Sequence, residues 1–175
     1  MDVPDILLSY FSFRLRFSSY AEDQFEILLP LACEWAEVKE KVALENGVPL
    51  SSAQAEDAKR VGVIHPERVK IFAVPQIPIP RHPILRSAAE ETQLITPATD
   101  GLTLRYGIFI KSSFLNDHRL IVHELIHTSQ YEKLGGFLPF LRKYLMECIT
   151  IGYPEAPMEQ EAIRLSMVIC ADSKS

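Results

Sequence analysis

The chain has 175 residues, 47% of them apolar and 23% charged, which is enough for one domain with a sizeable core and too few for two comfortable ones. Lys plus Arg is 18 and Asp plus Glu is 23, so the net charge is −5, which argues against nucleic acid or an anionic membrane as the main partner. Three widely spaced cysteines, Cys33, Cys148 and Cys170, argue against a disulfide framework or a zinc–cysteine site and read as free thiols in a reducing compartment.

The N-terminal stretch MDVPDILLSYFSFRLRF begins with Asp2 and Asp5 and is interrupted by Arg14 and Arg16. It lacks the basic start and unbroken apolar run of a signal peptide. No run of about 18 apolar residues is present, so no membrane span is expected. The expectation is a soluble, cytoplasmic protein.

Phe11, Phe13, Leu15 and Phe17 alternate with polar residues and predict a strand. Ser18 or Ser19 can cap a helix from about Tyr20 to Glu45, closed by Asn46-Gly47. Phe25, Leu28, Leu29, Ala32, Trp35 and Ala36 give that helix one apolar stripe. A short helix follows from Ser52 to Val61 and ends at Gly62. The character changes at His65-Pro66. Residues 1–65 read as a helical part of unassigned type, and 66–175 as the core that carries the chemistry, within a single domain 1–175.

Arg68 to Val74 reads as a strand. Prolines at 75, 78, 80 and 83 then favour an extended path without ladder donors, a rigid connector packed on its own domain. A plug lying over the cleft is a second use for the same segment. Asp100-Gly101 is a turn, and Leu102 to Ile110 is the strongest strand in the chain. Asn116 or Asp117 caps a helix that runs to about Leu134 and stops at Gly135-Gly136. Helices from Leu138 to Ile149 and from Pro157 to Ala171 complete the chain. The fold class is therefore α+β, mostly helical, with a small sheet ahead of the helix at 117–134.

That helix contains His123-Glu124-Leu125-Ile126-His127. Histidines four apart share one helical face and can bind one Zn²⁺ through their ring nitrogens. Glu124 stands beside them, placed to take a proton from water at the metal. A catalytic zinc usually needs a third protein ligand. No histidine follows His127, which leaves the carboxylates of the last helix, Glu159 and Glu161. Glu159 shares its face with Ala162, Ile163 and Ser166, whereas Glu161 shares its face with Arg164 and Leu165. A carboxylate above small or apolar neighbours points inward and must be paired or bind metal, which favours Glu159. Leu120, Ile121, Val122, Leu125 and Ile126 leave almost no other polar face, so the motif residues need a partner. Core histidines with hydrogen-bond partners are the plainer alternative. His65, His82 and His118 lie near prolines or a helix start and read as surface or structural residues.

HELIH resembles the HExxH helix of gluzincin zinc metallopeptidases, and EQEA at Glu159–Ala162 resembles the ExxA element of their later helix. That element often continues with an aspartate, which is Ile163 here. The stretch GLTLRYGIFIKSSFLNDHRLIVHELIHTSQYEKLGG is also similar to the metallopeptidase-like core domain associated with extracellular contractile injection systems, with Gln130 in the last position of HELxHxxQ. The resemblance spans about residues 100 to 172 and implies a zincin-like fold. It implies His123, His127 and Glu159 as ligands, Glu124 as general base, and an edge strand near Leu102–Ile110 that pairs with an extended peptide. The expected activity is zinc-dependent hydrolysis of a peptide or protein substrate. Tyr153 and Tyr106 are candidate donors to the oxyanion. A metal-binding module without peptidase activity, acting as a partner-binding protein, is the alternative function, and a metal-free structural protein is a third.

Overall fold

A computed structural model describes the backbone of residues 5–172 and the side chains of residues 24–171. The strand expected at Phe11 to Phe17 is not formed: the backbone there is part of the helix α1 (Asp5–Asn46), which starts ahead of the expected Tyr20, and the side chains of that stretch lie outside the described residues. From Phe25 onward the apolar stripe is buried as its spacing requires, with Phe25, Leu28, Leu29, Ala36 and Ala43 in the core.

The other helices are α2 (Ser52–Arg60), α3 (Pro83–Thr92), α4 (His118–Leu134), α5 (Phe137–Thr150) and α6 (Pro157–Asp172). They surround a sheet of β1 (Val48–Pro49), β2 (Lys70–Val74), β3 (Gly101–Leu104) and β4 (Gly107–Lys111), in the order β1-β2-β4-β3. β2 and β4 are parallel, and the outer pairs are antiparallel. The architecture is α+β. No described helix is long and apolar enough to cross a membrane.

β4 is buried along nearly its whole length because both faces of the sheet are covered. Phe109 joins the core with α1 and α5, whereas Ile108 and Ile110 join the core with α2, α4 and Ala162 of α6. α1 packs on β2, β3 and β4 and on α5. The N-terminal part is therefore one body with the region that carries the motif.

Two further expectations need correction. Leu102 to Ile110 is not one strand but a tight hairpin, broken at Arg105, whose φ is 56°. Tertiary contacts impose this left-handed conformation. The Arg105 guanidinium donates to both oxygens of buried Glu40, at 2.8 and 2.6 Å, and the Tyr106 N–H donates to Glu40 Oε1 at 3.1 Å. Thr128 Oγ1 donates to the Arg105 carbonyl at 2.8 Å and ties the turn to α4. The proline-rich segment is extended, as expected, but it leads into α3, a helix missing from the sequence reading. Pro83 occupies the first turn of α3, where the missing N–H costs nothing.

Candidate metal centre

α4 begins at Asp117, whose side chain accepts from the Leu120 N–H at 3.0 Å, and it closes on left-handed Gly135. Ile121, Val122, Leu125 and Ile126 bury one side of the helix in the core with α2, β4 and α6. The opposite side carries His123, His127 and Gln130 toward the N-terminal half of α6, where Glu159 lies. Both helices are held by packing, so these side chains are positioned rigidly.

His123 Nε2 lies 3.0 Å from Glu159 Oε1, and His127 Nε2 lies 3.2 Å from Glu159 Oε2. The two Nε2 atoms are 3.1 Å apart. A tetrahedral ion with bonds of about 2.0–2.1 Å separates its ligand atoms by about 3.3 Å, and each of the three spacings is close to that value, although the two histidines meet different oxygens of the Glu159 carboxylate. His127 and Glu159 are buried, His123 is half-buried, and the group can hold a metal ion.

The donor chemistry supports this. Gln130 Nε2 donates to the Met158 carbonyl at 2.9 Å and to Glu161 Oε2 at 2.8 Å. Its Oε1 therefore faces His127 Nδ1, 2.8 Å away, and accepts that proton. A neutral His127 then presents only a lone pair at Nε2, pointing at a carboxylate and a second imidazole. Such a cluster needs a cation or an added proton at its centre. Burial opposes the proton on His127, but bonding and attraction from Glu159 outweigh burial and raise its pKa. Burial likewise opposes charge on Glu159, and the two imidazoles overcome it, holding the carboxyl well below its usual range.

Tyr144 Oη donates to Glu159 Oε2 at 2.9 Å. Burial, reinforced by the Glu159 charge, pushes the phenol pKa well up, so it stays a neutral donor. Sequence reasoning missed Tyr144. Its signal was Phe140 and Tyr144 at i,i+4 on α5, stacked at 5.4 Å, where a buried tyrosine hydroxyl must find an acceptor.

Glu124 is buried beside the cluster, and Thr103 Oγ1 of β3 donates to its Oε2 at 2.6 Å. Thr103 was also missed, although a lone polar residue within GLTL was its signal. Gly101 packs so closely that a Cβ there would lie 2.4 Å from Glu124 Oε1. Tyr153 lines the same space as His123, Glu124 and Glu159. Burial raises its pKa, and Glu159 and Glu124 raise it further, which keeps the hydroxyl protonated.

Not every sequence candidate lies here. Tyr106 donates to Glu132 at 3.1 Å, accepts from Arg68 at 3.3 Å, and lines neither space at the centre. Glu161 holds Gln130 rather than joining His123 and His127. His118 pairs with Asp57 at 2.7 Å and His65 with Glu67 at 3.2 Å, while His82 precedes α3. Ile163 lines the cleft beside His123, and among the described residues none is bonded to His123 Nδ1. Among the described residues none of the three cysteines is joined in a disulfide.

The centre faces two spaces. One is an open cleft bordered by Asp117, Arg119, Tyr153 and Ile163. The other is a cavity of about 150 Å³ running inward between α1, α3 and α5. Pro80 and α3 form part of the cavity wall, so the proline-rich segment lines this inner space instead of plugging the cleft. Comparison with protein-family models, with curated proteins and with solved structures finds no match to the chain.

Proposed function

We propose that the protein is a zinc-dependent peptidase with a zincin-like arrangement, in which His123, His127 and Glu159 hold the ion. One observation carries the reading. The Nε2 atoms of His123 and His127 stand 3.1 Å apart, each 3.0–3.2 Å from its own oxygen of the buried Glu159 carboxylate, and His127 Nε2 is left as a lone pair by the Gln130 bond. Zinc in such a site supplies a Lewis acid and lowers the pKa of water toward about 7.

The chain's own residues supply the rest. Glu124 takes a proton from water and returns it to the leaving amine. Thr103 fixes the orientation of its carboxylate, and Gly101 leaves room for it. Tyr153 is the candidate donor to the developing oxyanion. β3 is the edge strand of the sheet and ends beside Glu124, so its free edge suits main-chain pairing with an extended peptide. The peptide-binding edge therefore narrows from the expected Leu102–Ile110 to Gly101–Leu104, because β4 (Gly107–Lys111) lies inside the sheet between β2 and β3. A cytoplasmic setting belongs to the same proposal and rests on three cysteines that form no disulfide among the described residues.

The rival is a metal-holding module without turnover. Ile163 favours it, because it leaves His123 without the acidic support a ligand histidine usually has. Glu124→Gln separates the readings. Screened against a peptide library with a chelator control, the wild type should cleave, and the variant should keep its zinc and lose hydrolysis. Turnover undiminished in the zinc-loaded variant would reject the role of Glu124. Zinc binding without cleavage by the wild type would favour the rival.

A further inference from the structure

The inner cavity shares His123, Glu124, Tyr153 and Glu159 with the open cleft, so the two spaces meet at the candidate centre. Its volume is about 150 Å³, whereas native interiors leave few voids larger than a water molecule. The space exists because alanines stand on the facing helices, Ala32 and Ala36 on α1 and Ala88 and Ala89 on α3. Apart from the residues of the centre itself, no charged side chain among the described residues lines it. A charged group entering it would lose its hydration without gaining a partner. A space of this volume with a mainly apolar lining has room for a guest of about benzene size.

We infer that this cavity is a subsite for one large apolar side chain of the substrate, of phenylalanine or leucine size, carried by a residue next to the scissile bond. The inference rests on the peptidase reading and names its substrate class: peptides with a bulky apolar residue at that position. A side chain entering from the cleft at His123 and Glu124 would meet a lining that includes Trp35 and Leu85. Peptides with lysine, aspartate or glycine there forgo this burial and are cut more slowly.

The test has two arms. In the first, toluene is titrated into the protein as purified, and the methyl signals of Leu28, Leu85 and Leu104 are followed by NMR. Saturable shifts are expected, and unmoved signals would overturn the subsite. In the second, the zinc-loaded protein is titrated with acetohydroxamic acid and with 3-phenylpropanohydroxamic acid. The aryl compound should bind about tenfold or more tightly, the gain from burying one phenyl ring. Ala88→Phe and Ala32→Leu fill the cavity from opposite walls, and whichever of them folds should erase the difference. Equal affinity of the two hydroxamates in the wild type would overturn the subsite alone. Toluene binding with no hydroxamate binding would refute the metal centre and take the subsite with it.

Discussion

Replacing Gln130 by leucine removes a single acceptor from the back of His127 and leaves the three proposed ligands untouched. Gln130 is 4% exposed and makes three bonds, to His127 Nδ1, the Met158 carbonyl and Glu161. Without it the imidazole is free to carry its proton on Nε2, which blocks the ligand position, and the ring is no longer held in place. Losing an outer partner of a ligand histidine costs about 10–100-fold in metal affinity, or about 1.4–2.8 kcal/mol. The loss of bonds to Glu161 and Met158 should also lower stability by about 1–3 kcal/mol. Gln130→Glu separates the two effects. A carboxylate still accepts from Nδ1, so metal affinity should largely survive, but it faces Glu161 and should destabilise the fold. Zinc affinity is read by competition with a chromophoric chelator near neutral pH, and stability by denaturant unfolding of the metal-free protein. A folded Gln130→Leu variant with wild-type zinc affinity would refute the claim that this bond sets the tautomer.

Two further substitutions probe the surroundings of the centre. Gly101→Ala places a Cβ 2.4 Å from Glu124 Oε1 and 2.8 Å from its Cδ, so the carboxylate must move. Zinc content should stay at the wild-type level while peptide cleavage falls by about 100-fold, the usual cost of a displacement of about 1 Å at a reacting group. Glu40→Ala strips the Arg105 turn of its clamp. Unfolding should be easier by about 2–3 kcal/mol, measured by denaturant titration, since Glu40 is buried and accepts charged bonds.

Residues that act through local spacing were legible in the sequence. His123, Glu124 and His127 follow from the helical repeat, and the ends of α4 from Asp117 and Gly135. Glu159 was separable from Glu161 because its helical neighbours are small or apolar, and it is Glu159 that meets both histidines. Residues that act through long-range contacts were not legible. Arg105 carries no turn signature, and its conformation comes from Glu40, 65 positions away. Gln130 matched a sequence pattern, but its function depends on Met158 and Glu161 of α6. α3 was hidden because the prolines before it drew the reading toward extended chain, although Pro83 at its first turn is itself a helix-start signal. The cavity was invisible for a similar reason. Ala32 and Ala88 are unremarkable on their own helices, and they make a pocket only where α1 and α3 face each other.

The central claim is that His123, His127 and Glu159 converge on a metal ion. Elemental analysis of protein purified without chelator tests it most directly, with the His123→Ala/His127→Ala double variant alongside. The account predicts about one zinc ion per wild-type chain and essentially none in the variant, with both chains folded. A wild-type chain that stays metal-free after incubation with zinc and desalting, or a double variant that retains the full equivalent, would contradict it.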